Sequence, residues 1–195
     1  SKVFLAKDAV IEFVTEKCIG NSSKVYMSYQ EFPKDVDIGD FILIDDGKLK
    51  LEVVSTNREN SVVAKVIYGG NLSSYKGVNL PNTNISLPSL TEKDIEDATF
   101  ALDQNVDWIA LSFVRRVSDI IELKQLIKRK GKNTYVIAKI EKPQAVRNLD
   151  AILAETDAIM VARGDLGVEM PFDQVPLLQK EIVEKCLNAS VPVII

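Results

Sequence analysis

The chain has no histidine among its 195 residues. That absence removes Ser-His-Asp and Cys-His nucleophilic chemistry together with every histidine-ligated zinc site. Cysteine is nearly absent too. Cys18 and Cys186 stand far apart in no paired motif, so neither a disulfide framework nor a thiolate metal centre is expected, and both read as small buried hydrophobes. Aromatic residues make up 7% of the chain and the net charge is −4, which leaves few stacking platforms and no basic field. Nucleic acid and anionic lipid are therefore not expected as partners. No apolar run approaches the roughly 18 residues a bilayer span needs, and Ser1-Lys2-Val3-Phe4 does not open a signal peptide, so a cytoplasmic location without membrane contact is expected. Whatever chemistry the chain performs must use carboxylates, lysine, arginine, hydroxyls and a borrowed metal.

Hydrophobic residues at 46% and charged residues at 27% are ordinary for a globular protein, with enough chain for one large or two small domains. From Val10 to about Gly70 the pattern is short alternating strands: VIEFVT, KVYMSY, DFILID, KLKLEVV and SVVAKVIY. Asp45-Asp46-Gly47-Lys48 lies between two of them and predicts a tight hairpin turn, because Asp and Gly tolerate positive φ. This strand density predicts a small antiparallel β-barrel domain over residues 1–86. After Leu87-Pro88-Ser89-Leu90 the rhythm becomes helix, strand, helix, strand through residues 87–195. Thr91 with Asp94 predicts a capping box for a helix to about Gln104, followed by the strand WIALSF. Ser118 is expected to cap SDIIELKQLIKRK, with Gly131 as its left-handed stop. VIAKIE, a helix opened by Pro143, AIMVA, a helix from about Asp173 and VPVII complete the series. Such (βα) units need a parallel sheet with covered faces. Four strands fit an open doubly wound sheet or part of an eight-stranded barrel. The lack of a GxGxxG after any strand weakens the first option, which leaves the α/β reading as a partial (β/α)8 TIM barrel beside the small antiparallel β-barrel.

The strand ends carry the chemistry. Lys139 and Glu141 end one strand two residues apart, so they share a face, and burying either charge alone is costly. Neighbouring strands end in Ser112-Phe113-Val114-Arg115 and Arg163-Gly164-Asp165. In a barrel, all three sets collect at the C-terminal rim. Glu141 and Asp165 are hard oxygen donors suited to Mg²⁺ or Mn²⁺, and Gly164 lets a ligand approach the backbone. Such a site suits reactions that develop negative charge on oxygen, namely phosphoryl transfer or enolate formation. A plainer reading stays open: Lys139 and Glu141 as a structural ion pair, and Asp165 as a loop cap. Two other classes also stay open, a Mg²⁺-dependent barrel aldolase or lyase acting on pyruvate-like substrates, and a non-catalytic binding module.

Three segments, GVNLPNTNISLPSLTEKDIEDATFALDQNVDWIALSFVR, AKIEKPQAV and DAIMVARGDLGVEMPFDQVPLLQKEIVEKC, closely resemble the pyruvate kinase family. The resemblance covers nearly the whole chain, matching that family's B domain and strands four to seven of its (βα)8 A domain. It implies phosphoryl transfer from phosphoenolpyruvate to ADP, giving pyruvate and ATP, with Mg²⁺ and commonly K⁺, and assembly as a homotetramer. It implies that Lys139 stabilises the phosphoryl group in flight, that Glu141 and Asp165 hold Mg²⁺, and that Gly164 with Asp165 receives the substrate carboxylate. It implies that Lys76, in YKGVNLP, reaches the nucleotide phosphates, and that the B domain acts as a lid. Asp45 and Asp46 match an acidic turn of the family. Departures are Ala138, where many relatives have serine, and Asn82, where glycine is common. The family's phosphate-binding arginine, its K⁺ ligands, a threonine-bearing segment and a C-terminal domain have no counterpart in these residues. The chain reads as a piece of the enzyme, expected to be inactive by itself.

Overall fold

The computed structural model describes residues 2–81, 83, 85, 86, 88 and 90–195. Asn82, Leu87 and Ser89, which belong to the divergent position and the expected junction, lie outside the described residues. The chain divides into two compact units, Ser1–Leu87 and Pro88–Ile195.

In the first unit, β1 (Lys2–Leu5), β2 (Val10–Val14), β3 (Lys24–Tyr26), a short helix α1 (Phe32–Asp35), β4 (Phe41–Ile44), β5 (Leu49–Thr56), β6 (Ser61–Tyr68), β7 (Gly70–Ser73) and β8 (Val78–Asn79) follow one another. Among the described residues, six strands pair in the order β3-β2-β6-β5-β4-β8, while β1 and β7 form a separate antiparallel ribbon. The period-2 pattern explains the sheet directly. On β5 Leu49, Leu51 and Val53 are buried, and on β6 Val62, Ala64 and Val66 are buried, so one face of each strand closes over a core with Ile11, Phe13, Phe32 and Ile42. Full burial of each Leu, Val, Ile or Phe side chain among them is worth about 1.5–3 kcal/mol. The pairing departs from an all-antiparallel expectation at one place, where β2 and β3 run parallel with Glu12 beside Lys24. Nine residues separate these strands, more than a hairpin turn needs, and the bend between them brings β3 back in the same direction. The turn at 45–48 is as expected. Asp45, Asp46 and Gly47 all have positive φ, at 54°, 57° and 80°. Cys18 corrects its expectation: it is exposed, whereas Cys186 is buried and its thiol pKa is pushed up by that burial.

The second unit contains α2 (Glu92–Asp103), β9 (Trp108–Leu111), α3 (Val117–Arg129), β10 (Tyr135–Ile140), α4 (Pro143–Arg147), α5 (Leu149–Leu153), β11 (Ala158–Val161), α6 (Arg163–Glu169), a 3-10 turn (Phe172–Gln174), α7 (Val175–Ala189) and β12 (Val193–Ile194). Its strands pair in parallel in the order β12-β11-β10-β9, each next to its sequence neighbour, as expected for a segment of an α/β barrel. Thr91 makes the anticipated capping box, its hydroxyl accepting from Asp94 N–H at 3.2 Å while the Asp94 carboxylate accepts from Thr91 N–H at 2.8 Å. The start of α3 is a correction. Ser118 lies inside the helix and Arg116 is its N-cap; the fully buried Asp119 carboxylate reaches back to the amides at the helix entry, accepting from Arg115 N–H at 2.8 Å and Arg116 N–H at 3.2 Å. Ile120, Leu123, Leu126 and Ile127 form the buried stripe of α3, and Gly131 with φ +64° ends it. No described helix is long and apolar enough to cross a membrane.

β10 is not buried on both faces. Val136, Ala138 and Ile140 are all 0% exposed and pack into the helix-covered core with Ile120, Leu149 and Ile182. Ile137, Lys139 and Glu141 alternate with them and occupy the other face.

Candidate active-site rim

Because β10 and β11 are parallel neighbours with Ile140 opposite Val161, the residues that follow each strand emerge at the same edge of the sheet. β9 adds Ser112 and Phe113 there, since its Leu111 pairs with Ala138. Lys139 and Glu141 meet across one pleat: Nζ lies 2.5 Å from Oε1, and Nζ also donates to Ser112 Oγ at 2.9 Å. The other Glu141 oxygen accepts from the Phe113 backbone N–H at 2.9 Å. Glu141 is 2% exposed and the Lys139 side chain 24%, so the carboxylate is enclosed by its two donors while the ammonium retains access to water. That is the ion pair the plainer reading expected, set at the rim the catalytic reading requires.

Phe113 holds an unusual conformation. Its φ is +55°, in the left-handed region that an aromatic side chain rarely adopts, and this geometry accompanies the N–H bond to Glu141. Lys142, the next residue after Glu141, leaves the strand toward the helices, donates to Glu169 Oε1 and places its Nζ 5.5 Å from the Phe113 ring centroid. Ser112, Phe113, Lys142 and Glu169 were given no role from sequence. The signal for the first two was present, because they end the strand beside Lys139; Glu169 is separated from Lys142 by 27 residues and nothing local announces the pairing.

Arg163-Gly164-Asp165, expected as the end of a strand, follows β11 as the first turn of α6. Asp165 and Gly164 are exposed, and a Cβ built on Gly164 would meet nothing within 4 Å, so its backbone is open to a ligand. Among the described residues no cluster of three or more acidic or sulfur ligands occurs. This donor chemistry fits Mg²⁺ or Mn²⁺, which commonly bind through one or two carboxylates and take their other ligands from water and substrate. It does not fit a structural Zn²⁺ or Ca²⁺ cage.

In the first unit Lys76 Nζ is 2.9 Å from Asp45 Oδ1, and Lys48 Nζ is 3.1 Å from Asp45 Oδ2. Hydrogen bonds from Lys76 and then Lys48 hold the Asp45 carboxyl below the ordinary carboxylate range. These three residues and Lys2 line a cavity of about 350 Å³. Lys76 is thus tethered at the acidic turn rather than loose in solvent.

A parallel α/β sheet with a lysine and carboxylates on its C-terminal rim defines a segment of a barrel enzyme. The family pattern that matches it is pyruvate kinase, barrel domain, over residues 1–195. The chain is 44% identical over 192 residues to a pyruvate kinase of Mycobacterium intracellulare, covering 98% of this chain and 40% of that protein. It is 45% identical over 181 residues to a pyruvate kinase of Bacillus licheniformis, covering 92% of this chain and 31% of that protein, and 48% identical over 169 residues to a pyruvate kinase 2 of Synechocystis, covering 86% and 29%. The chain belongs to the pyruvate kinase family. It spans between 29% and 40% of the length of these relatives.

Proposed function

We propose that the protein containing this chain transfers the phosphoryl group of phosphoenolpyruvate to ADP, yielding pyruvate and ATP. The observation that carries the reading is the Lys139–Glu141 pair on the rim next to the Gly164-Asp165 turn. In this reaction the enol P–O bond breaks, a new P–O bond forms to the terminal ADP oxygen, and the released enolate takes a proton. Negative charge grows on oxygen throughout, and preorganised positive charge is the main resource for stabilising it.

The roles assigned to individual residues belong to the same proposal. Lys139 carries the partly accessible ammonium, so it bears on the moving phosphoryl oxygens while Glu141 and Ser112 fix its direction. Glu141 and Asp165 would hold Mg²⁺ or Mn²⁺. When bound, that ion supplies Lewis-acid stabilisation of the phosphoryl and enolate oxygens. The open backbone at Gly164, with Asp165, takes the substrate carboxylate. Lys76 of the first unit binds nucleotide phosphate, releasing Asp45 as it does so. We further assign the first unit as a small β-barrel lid, and the second as the strand four to seven segment of the barrel. A K⁺ requirement whose ligands belong to other parts of the protein, a homotetrameric assembly and a cytoplasmic location complete the reading. The test is a coupled assay of the full-length protein: ADP-dependent consumption of phosphoenolpyruvate supports it, and carbon-carbon cleavage or no turnover overturns it.

A further inference from the structure

The Lys142–Glu169 pair is the most deeply enclosed ion pair described in the second unit, with side chains 8% and 1% exposed. Its position has a geometric consequence. Lys142 is covalently next to Glu141, and as the N-cap of α4 it is extended, with φ −119° and ψ 144°, so successive side chains diverge to opposite sides. Glu169 is the last residue of α6, and Asp165 lies four residues before it. Residues four apart share one helix face, separated by about one turn or 5.4 Å along the axis. The helix has no side-chain N-cap, and at seven residues it is too short to hold its own orientation, so its placement depends on tertiary contacts. Such contacts include the fully buried Leu166, the close approach of Gly167 to Phe172 and Val175, and the Lys142–Glu169 pair.

Leu166 resists withdrawal of the helix from the core. An apolar contact is non-directional, however, and tolerates rotation about the axis and sliding along it. A charge-assisted hydrogen bond is directional and restricts both. The Phe113 ring beside Lys142 adds a further element, since the same residue donates its N–H to Glu141. The ends of β9, β10 and α6 are thereby laced together through one buried ammonium.

We propose that Lys142 and Glu169 are a positioning pair that fixes the rotation and height of α6, and so keeps Asp165 in register with Glu141 for a shared divalent ion. The inference rests on the metal-binding reading of Glu141 and Asp165 given above. Neither residue of the pair touches the substrate, and its effect is exerted through the two carboxylates.

The test is Mn²⁺ binding to the folded full-length protein, followed by electron paramagnetic resonance without substrate, with circular dichroism confirming the fold. Lys142→Met and Glu169→Gln each raise the Mn²⁺ dissociation constant by about 10- to 100-fold, the range found when partners behind metal ligands are removed. Lys142→Arg, which keeps the charge and a donor, restores most of the affinity. Because single variants leave a buried charge and can unfold, the double variant Lys142→Met/Glu169→Leu is the decisive one: it repacks as an apolar pair, folds, and still binds Mn²⁺ at least about tenfold more weakly. Wild-type Mn²⁺ affinity in the folded double variant overturns the proposal, since a purely structural pair is replaced without loss. Glu141→Gln separates the two readings. If it abolishes Mn²⁺ binding while the double variant keeps wild-type affinity, only the positioning role falls; if it leaves binding unchanged, the metal reading falls and the positioning role with it.

Discussion

Lys139 and Glu141 form an ion pair at 2.5 Å along one face of β10, and the two ends of that pair are unequal: the carboxylate is 2% exposed and the lysine 24%. Strand alternation forces the two side chains onto the same side, and Phe113 N–H and Ser112 Oγ then hold one each. The pair therefore presents a fixed ammonium to the rim, with the Glu141 carboxylate beside it held by Lys139 and the Phe113 N–H.

The first expectation follows from that asymmetry. In the full-length protein, Lys139→Met lowers phosphoryl transfer by about 10² to 10³ or more, the size seen when a group stabilising transition-state charge is lost. Mg²⁺ affinity changes little, because both proposed ligands remain. Steady-state kinetics alongside a metal titration checks this, and unchanged turnover removes Lys139 from the reaction.

A second expectation concerns Asp45 and pH. Its carboxyl pKa is lowered below the ordinary 3.8, chiefly by Lys76 and then by Lys48. A depressed folded-state value means the native state holds fewer protons than the unfolded one, so the contribution is present above about pH 4 and disappears as pH falls through the lowered value. The pair is half-buried but reached by solvent at the cavity mouth, and its worth to stability is accordingly small. Carboxyl-detected NMR should show Asp45 titrating below 3.8, with Lys76→Met moving the midpoint upward. A midpoint at or above the ordinary value in the unmodified chain contradicts the tether.

Third, Asp119→Ala should destabilise the second unit by about 1–3 kcal/mol, since two amides at the start of α3 lose their acceptor. Urea denaturation measures it directly. Ser118→Ala, by contrast, should cost less than about 0.5 kcal/mol, because Ser118 is not the cap.

Fourth, the four-stranded sheet has β9 and β12 as its edges, each without a further partner among the described residues. Unpaired edges recruit other strands. The 195 residues expressed alone should show concentration-dependent association in sedimentation velocity and no coupled-assay turnover. A stable monomer with turnover near that of a full-length relative contradicts this.

Much of the architecture was legible because it is local. The capping box at Thr91, the positive-φ turn at Asp45-Asp46-Gly47 and the left-handed stop at Gly131 depend on residues a few positions apart, and each occurs where its chemistry demands. The rim was legible too, since alternation puts Lys139 and Glu141 on one face wherever the strand lies. What escaped depends on distance or on competition. The parallel β2–β3 pairing is a long-range choice that neither strand's pattern encodes. RGDLGVE gave no helix signal because its two glycines are poor helix formers; burial of Leu166 and Glu169 outweighs that propensity in α6. Ser118 was a reasonable cap by composition, but the helix starts one residue earlier, where the buried Asp119 carboxylate reaches back to the Arg115 and Arg116 amides as a charged and stronger acceptor.

The most direct test of the account is anomalous scattering from Mn²⁺ in crystals of the full-length protein soaked with the ion. A single peak within about 2.0–2.3 Å of a carboxylate oxygen of Glu141 and one of Asp165 is the predicted result. A peak that engages only one of the two, or none at this rim, contradicts a shared ion and with it the proposed chemistry.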